Sequence, residues 1–194
     1  MTTPAFFDDS LYTGVAHVSD RTPDAVNSLI AFWSDWGLGL FAVLMLWGWW
    51  RARSAGRPQL PALAVPLIVV AAFVVNDIVK SVLHEARPCQ VLPVSPLEAC
   101  PGVGDWSFPS NHAAIAAAAA AALWCVDRTL GLIALPAALL MAFSRVWVGA
   151  HYPHDVLAGL LLGAIVGAVL AHLMYGFVRA RGGGEPNRPE ALAR

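Results

Sequence analysis

The sequence predicts an all-α, polytopic membrane bundle of about five transmembrane helices, with a further short helix near the N-terminus. Three observations carry this expectation. The 194 residues are 58% hydrophobic and only 13% charged, whereas soluble domains are about half apolar and about a quarter charged. Several apolar runs approach the roughly 20 residues needed to cross a hydrocarbon layer about 30 Å thick. The richest polar clusters fall at the ends of those runs, where charge meets water instead of lipid. No polar half remains for a second domain, so residues 1–194 form one integral-membrane unit. The net charge of −1 says little about partners, and the lack of a basic tract argues against nucleic acid.

Residues 1–28 form an N-terminal segment. Phe7, Leu11, Val15 and Val18 recur at helical spacing, with Asp8 and Asp9 off the stripe. This fits a helix lying in the membrane interface, or equally a loosely ordered terminus. No basic stretch precedes an apolar core, which argues against a signal peptide. The expected spans are Leu29–Trp50, Leu60–Leu83, a short Ala113–Val126 that can begin at Ser110, Leu130–Val148 and Val156–Val178. Asp35 either marks the outer edge of the first span or faces the bundle. The second helix is expected to run on to Pro88, which would end it. Residues 84–109, rich in Pro, Gly and acidic residues, read as an extracytoplasmic loop. Within it, Cys89 and Cys100 are either a disulfide, which an oxidising exterior permits, or two thiols. In the last span, Gly159, Gly163 and Gly167 form a small-residue stripe for close helix packing.

Arg and Lys set the expected orientation. Arg51, Arg53 and Arg57, then Arg128, then Arg179, Arg181, Arg188 and Arg194 fall on one side of a five-span chain. That side is expected to be cytoplasmic, with residues 179–194 as its tail and the N-terminus outside. The tryptophans at 47, 49 and 50 suit an interfacial belt on the same side.

Three polar clusters then fall at the outer ends of spans two to five. Asn76, Lys80 and Arg87 recur near one helix face. Ser110 suits a helix N-cap, with Asn111 and His112 in the first turn, where exposed amides attract an anion. Ser144 and Arg145 close span four, and His151 precedes span five, with Asp155 four residues on. That spacing lets the carboxylate hold the imidazole in one tautomer. Three cations and a helix start bind a multiply charged anion, and phosphate fits best. A His backed by a carboxylate is a nucleophile or base, and a second His can protonate a leaving oxygen. Glu85 and Asp105 read as loop solvation, His17 as surface and His172 as a packing or interface residue. Asp77 pairs with Lys80 or with a neighbouring helix.

These clusters resemble a known family. K-x6-R-P is met by Lys80, Arg87 and Pro88. P-S-G-H is met by Pro109, Ser110, Asn111 and His112, with Asn in place of Gly. S-R-x5-H-x3-D is met by Ser144, Arg145, His151 and Asp155. Together they are similar to the signature of the type 2 phosphatidic acid phosphatase family, which shares its core with vanadium haloperoxidases. The likeness covers roughly Leu60 to Leu162. It implies that His151 attacks phosphorus to form a phosphohistidine and that Asp155 orients it. His112 would protonate the leaving oxygen, and Lys80, Arg87, Ser110, the Asn111 amide and Arg145 would hold phosphate. It also implies no metal and no cofactor. Within the family, the small size and span plan look most like bacterial undecaprenyl-diphosphatases of the bacitracin-resistance type. These release one phosphate from polyprenyl diphosphate outside the cell membrane and so recycle a cell-wall lipid carrier. The other enzymatic expectation is a phosphatase for phosphatidylglycerophosphate, phosphatidate or another lipid phosphate. A non-catalytic transporter or assembly protein is the alternative of a different class. The lipid tail is expected to leave between spans two and three, beside the alanine run. The residues set no oligomeric state.

Overall fold

The computed structural model describes residues 8–182. Phe7, Arg188 and Arg194, used above, lie outside that range. Among the described residues all regular structure is helical. The order is α1 (Asp9–Asp20), α2 (Asp24–Trp36), α3 (Leu38–Ser54), α4 (Leu60–Leu83), α5 (Pro88–Val91), α6 (Asn111–Val126), α7 (Arg128–Trp147) and α8 (Pro153–Gly182).

The alanine-rich α6 is the centre of the bundle. It packs against α3, α4, α7 and α8, and eight of its alanines are buried. A methyl side chain lets a neighbouring backbone come close, and α8 uses this through its glycine stripe. A Cβ at Gly159 would lie 2.5 Å from the Ser110 carbonyl oxygen, and one at Gly167 would lie 2.7 Å from that of Ala118. A Cβ at Gly163 would run into the backbone of Ala114.

Among the described residues, three helices are long and apolar enough to cross a membrane: α4 continued through α5, α7 and α8. The α2–α3 pair makes a fourth, bent by 51°. The expected first span is therefore broken. The break sits at Gly37, where an added Cβ would meet Met141 Cε of α7 at 2.8 Å. Asp35 is exposed just before it. The expected third span is α6, whose 16 residues reach about 24 Å. It falls short of a bilayer and is embedded among longer helices.

Two further expectations change. First, α4 ends at Leu83 and not at Pro88. His84 turns left-handed at φ 46°, and Arg87 is extended, as a residue before proline prefers. Pro88 then opens α5. Lys80 and Arg87 thus share a destination but not a helix face. Second, α4 packs directly against α6. The groove beside the alanine run lies instead between α6, α7 and α8. It measures about 430 Å³ and is lined by residues such as Ala117, Ala121, Trp124, Leu135, Leu139 and Leu161.

At one end of the bundle, Asp127 caps α7 by accepting from the backbone N–H groups of Thr129 and Leu130 at 3.0 and 3.4 Å. It also meets Arg51 at 3.3 Å and Arg57 at 3.5 Å. The basic turns after α3 and α6 therefore share that end. At the other end the outer loop folds over the bundle, with Cys89 and Cys100 joined as a disulfide whose Cα atoms are 5.9 Å apart. Helix α1 turns Leu11 and Val18 outward and buries Tyr12. The Tyr12 hydroxyl donates to the Gly149 carbonyl at 3.1 Å.

Gly163→Leu should lower the thermal unfolding midpoint in detergent, because overpacking a close backbone contact costs about 1–3 kcal/mol. Gly176→Leu, at an exposed position with no atom within 4 Å of the added Cβ, should leave the midpoint unchanged.

Candidate active site

The chemistry-bearing residues meet at the end of the bundle covered by the outer loop. Lys80 arrives from the last turn of α4, Arg87 from the following loop, and Arg145 from the last turn of α7. All three are buried, at 5–7% exposure. Ser110, Asn111 and His112 open α6. His151 sits in the turn between α7 and α8, and Asp155 in the first turn of α8. The Ser110 N–H donates to the Asp155 carbonyl at 3.0 Å, which locks the start of α6 beside the start of α8. The Gly149 turn before His151 needs a positive φ of 86°, and a Cβ there would meet Pro96 at 2.8 Å.

The His151 ring is oriented from both sides. Nδ1 lies 3.2 Å from Asp155 Oδ2 and 3.4 Å from Ser107 Oγ. Nε2 lies 3.3 Å from Arg87 Nη1. A guanidinium only donates, so Nε2 carries the lone pair and Nδ1 the proton, donated to Asp155. Asp155 is fully buried, and its Oδ2 also accepts from Ser107 Oγ at 2.5 Å and from the Tyr152 N–H at 2.9 Å. Burial drives the His151 imidazole down to about 4, against the upward pull of Asp155, while the nearby Arg87 and Arg145 charges act with burial. At neutral pH the ring is an uncharged base with its lone pair facing a cation.

The cations are not bare. Lys80 Nζ donates to the Trp106 carbonyl at 3.0 Å. Arg87 donates to the Asp105 carboxylate at 2.8 Å, to the Asp105 carbonyl at 2.9 Å and to the Ala150 carbonyl at 2.9 Å. Burial raises the Asp105 carboxyl, but the hydrogen bond and charge of Arg87 outweigh it and leave the group below its usual value. Arg145 Nη1 donates to Glu98 at 2.9 and 3.0 Å and to Ser34 Oγ of α2. Within this cluster, among the described residues, Ser110 Oγ and Arg145 Nε are nonetheless buried without a hydrogen-bond partner. Ser110 holds the N-cap position without a side-chain capping bond.

Asn111, which stands where the family motif has Gly, is met by α4. Asn76 Nδ2 donates to its Oδ1 at 2.6 Å and to the Pro109 carbonyl at 3.2 Å. Asn111 Nδ2 faces Asp77 Oδ1 at 3.5 Å.

Several site residues were not legible in the sequence. Ser107, Glu98 and Ser34 belong to no motif, and only the fold brings them in. Glu85 and Asp105 are structural partners, not loop solvation: Asp105 holds Arg87, and Glu85 holds His154. His154 lies inside the third motif itself, and its spacing one residue before Asp155 is the signal that could have singled it out. Glu85, His154 and Asp155 each offer a metal-ligating atom within 4.8 Å of one another. His154 Nε2 lies 2.9 Å from Glu85 Oε1 and 3.3 Å from Asp155 Oδ1, so the trio is an ion-pair cluster and not an open donor set.

Residues 61–179 match the model of the PAP2 superfamily. Undecaprenyl-diphosphatase BcrC of Bacillus subtilis (strain 168) is 32% identical over 142 residues, covering 73% of this chain and 72% of that protein. Decaprenylphosphoryl-5-phosphoribose phosphatase of Mycobacterium tuberculosis (strain H37Rv) is 47% identical over 77 residues, covering 39% of this chain and 41% of that protein. Among solved structures, a transmembrane PAP2-type phosphatidylglycerolphosphate phosphatase from Bacillus subtilis has a similar fold, with a TM-score of 0.65 at 21% identity over 89% of this chain and 85% of that one.

In an NMR titration of histidine-labelled protein, His151 should remain neutral through the usual histidine range and take up a proton only near pH 4, because burial disfavours the imidazolium. A midpoint close to 6.5 would contradict the buried, lone-pair-bearing ring described here.

Proposed function

The chain belongs to the PAP2 superfamily and is a membrane phosphatase, and from that premise we propose that it hydrolyses polyprenyl diphosphate to the monophosphate and inorganic phosphate through a phosphohistidine. The observation that carries this reading is the His151 ring. Its Nδ1 is tied to a buried carboxylate, and its Nε2 lone pair faces the cluster of Lys80, Arg87 and Arg145.

In the proposed reaction, the terminal phosphate takes the donors of that cluster together with Ser110 Oγ and Arg145 Nε, both buried and unpartnered among the described residues. His151 Nε2 attacks phosphorus as the bond to the bridging oxygen breaks. The positive charge on the ring is balanced by Asp155. His112, half-buried in the first turn of α6, gives its proton to the leaving oxygen. It then takes a proton from water as that water cleaves the phosphorus–nitrogen bond, which regenerates His151 and releases inorganic phosphate. Cations preorganised around the equatorial oxygens stabilise the transition state without reorganising, and no step calls for a metal.

The polyprenyl diphosphate assignment is supported by the similarity to the Bacillus undecaprenyl-diphosphatase over most of both chains. A second reading, a monoester on a polyprenyl-linked carrier, is favoured by the shorter and denser match to the mycobacterial phosphatase. A transporter is disfavoured because Lys80, Arg87, His112, Arg145, His151 and Asp155 collect at one end of the bundle instead of lining a path through it. The Arg bias supports an extracytoplasmic site in a bacterial cell membrane, with the N-terminus outside and the C-terminus cytoplasmic.

His151→Gln should abolish phosphate release in purified protein, since no other residue in the cluster is placed to form the covalent intermediate. Asp155→Asn should retain weak turnover, with a loss of up to about 10⁴-fold, as when a catalytic triad loses its carboxylate charge. Undiminished turnover in the His151 variant would end the phosphohistidine mechanism.

Steady-state kinetics in matched detergent micelles should give a higher kcat/KM for long-chain polyprenyl diphosphate than for phosphatidate or phosphatidylglycerophosphate, with the monophosphate accumulating. A preference for phosphatidylglycerophosphate would remove the carrier-recycling assignment and leave the catalytic residues in place.

A further inference from the structure

Beside the nucleophile lies a second histidine that the reaction above does not use. His154 follows Pro153 in the first turn of α8, above the point where the helix becomes apolar at Val156. Its ring is enclosed by three carboxylates from three parts of the chain. Nδ1 lies 2.9 Å from Asp8 Oδ1, just before α1, and the His154 backbone N–H donates to Asp8 Oδ2 at 2.9 Å. Nε2 lies 2.9 Å from Glu85 Oε1, in the loop after α4, and 3.3 Å from Asp155 Oδ1. The ring faces are covered by Tyr152 and Phe108, with centroids 5.4 and 5.7 Å away. Asp8 is buried and Glu85 is largely covered. A neutral imidazole has one N–H and would leave one nitrogen lone pair against a carboxylate. Only the imidazolium donates from both nitrogens.

Resting on the phosphatase reading above, we propose that His154 is a positioning residue: held as an imidazolium between Asp8 and Glu85, it keeps Asp155 ionised and aimed at His151. Its Nε2–H donates to Glu85, and its charge lies 3.3 Å from Asp155 Oδ1 as an ion pair, while Asp155 Oδ2 takes His151, Ser107 and the Tyr152 amide. Asp8 lies in the segment leading into α1, so the N-terminal helix becomes part of the catalytic frame. It braces the segment around the nucleophile at two points, His154 through Asp8 and Gly149 through Tyr12.

The sign of the pH effect follows from charge. The groups around Asp155 are His151, Ser107, the Tyr152 amide and His154. Removing the His154 cation favours the protonated carboxyl, so the His151–Asp155 pair takes up its proton at higher pH. In hydrolysis of polyprenyl diphosphate, His154→Gln should keep KM and lose about tenfold in kcat, within the range for residues that orient a reacting group. The acidic limb of its kcat/KM profile should move up by about one pH unit. His154→Lys, which keeps a charge, should leave the limb in place, and the exposed-site control His17→Gln should match the unaltered protein. An unshifted limb in His154→Gln, whatever its kcat, would overturn the proposal, since a merely structural role lowers activity without moving the limb. Nitrogen NMR of the unaltered protein provides a reading independent of variants and turnover: both His154 nitrogens should be protonated at pH 7.5, and one bare nitrogen there would overturn the proposal. An unaltered protein that hydrolyses no lipid phosphate, yet shows that doubly protonated ring, would sink the phosphatase reading and keep His154 as the cation on Asp155.

Discussion

The site depends on a buried carboxylate that has to be held by protein donors. Asp155 is fully buried, and an ionised group removed from water is tolerated only when paired and hydrogen-bonded. Its donors come from distant parts of the sequence: Ser107 from the outer loop, and the Tyr152 amide and His151 from the turn before α8, with the His154 ring as an ion-pair neighbour 3.3 Å from Oδ1. The backbone carbonyl of the same residue accepts from Ser110 at the start of α6. Satisfying this residue therefore assembles His151, the helix start and the loop in one place. Leaving a buried hydrogen-bonding group unpaired costs about 1–3 kcal/mol, and more when it is charged.

The cations pose the complementary problem. Lys80, Arg87 and Arg145 are clustered and nearly inaccessible to water, which costs several kcal/mol per ion after relaxation. The outer loop offsets that cost with Trp106, Asp105 and Glu98. In the proposed reaction an arriving phosphate would add to these acceptors or exchange with them, and the loop would then tune substrate affinity without being part of the chemistry. Ser110 Oγ and Arg145 Nε, which no acceptor among the described residues satisfies, are the donors such a ligand would meet without competition.

Much of the site was legible in the sequence because its chemistry is written in short, spaced motifs at the ends of apolar runs. Lys80, Arg87, Ser110, Asn111, His112, Arg145, His151 and Asp155 are brought to one end of the bundle. The membrane makes that legibility possible, since charge beside lipid needs a reason. The groups that complete the site were less visible. Glu98, Asp105 and Glu85 are acidic residues in an acidic loop, and composition cannot separate a solvated carboxylate from one that folds back onto an arginine. Asp8 and Ser34 act across more than a hundred residues of sequence. The break at Gly37 and the early end of α4 were also hidden. One depends on Met141 from another helix and the other on a left-handed histidine, and hydropathy sees neither.

The alanine column of α6 bears on how the site can move. Alanine has no side-chain rotamers to lose on burial, so the contact between α6 and α8 has few alternative packings to sample. His112 stands on top of one of these helices and Asp155 on top of the other. The two helices form a fixed frame to which the outer loop and the segment before α1 are fastened, through Ser107 on Asp155 and Asp8 on His154.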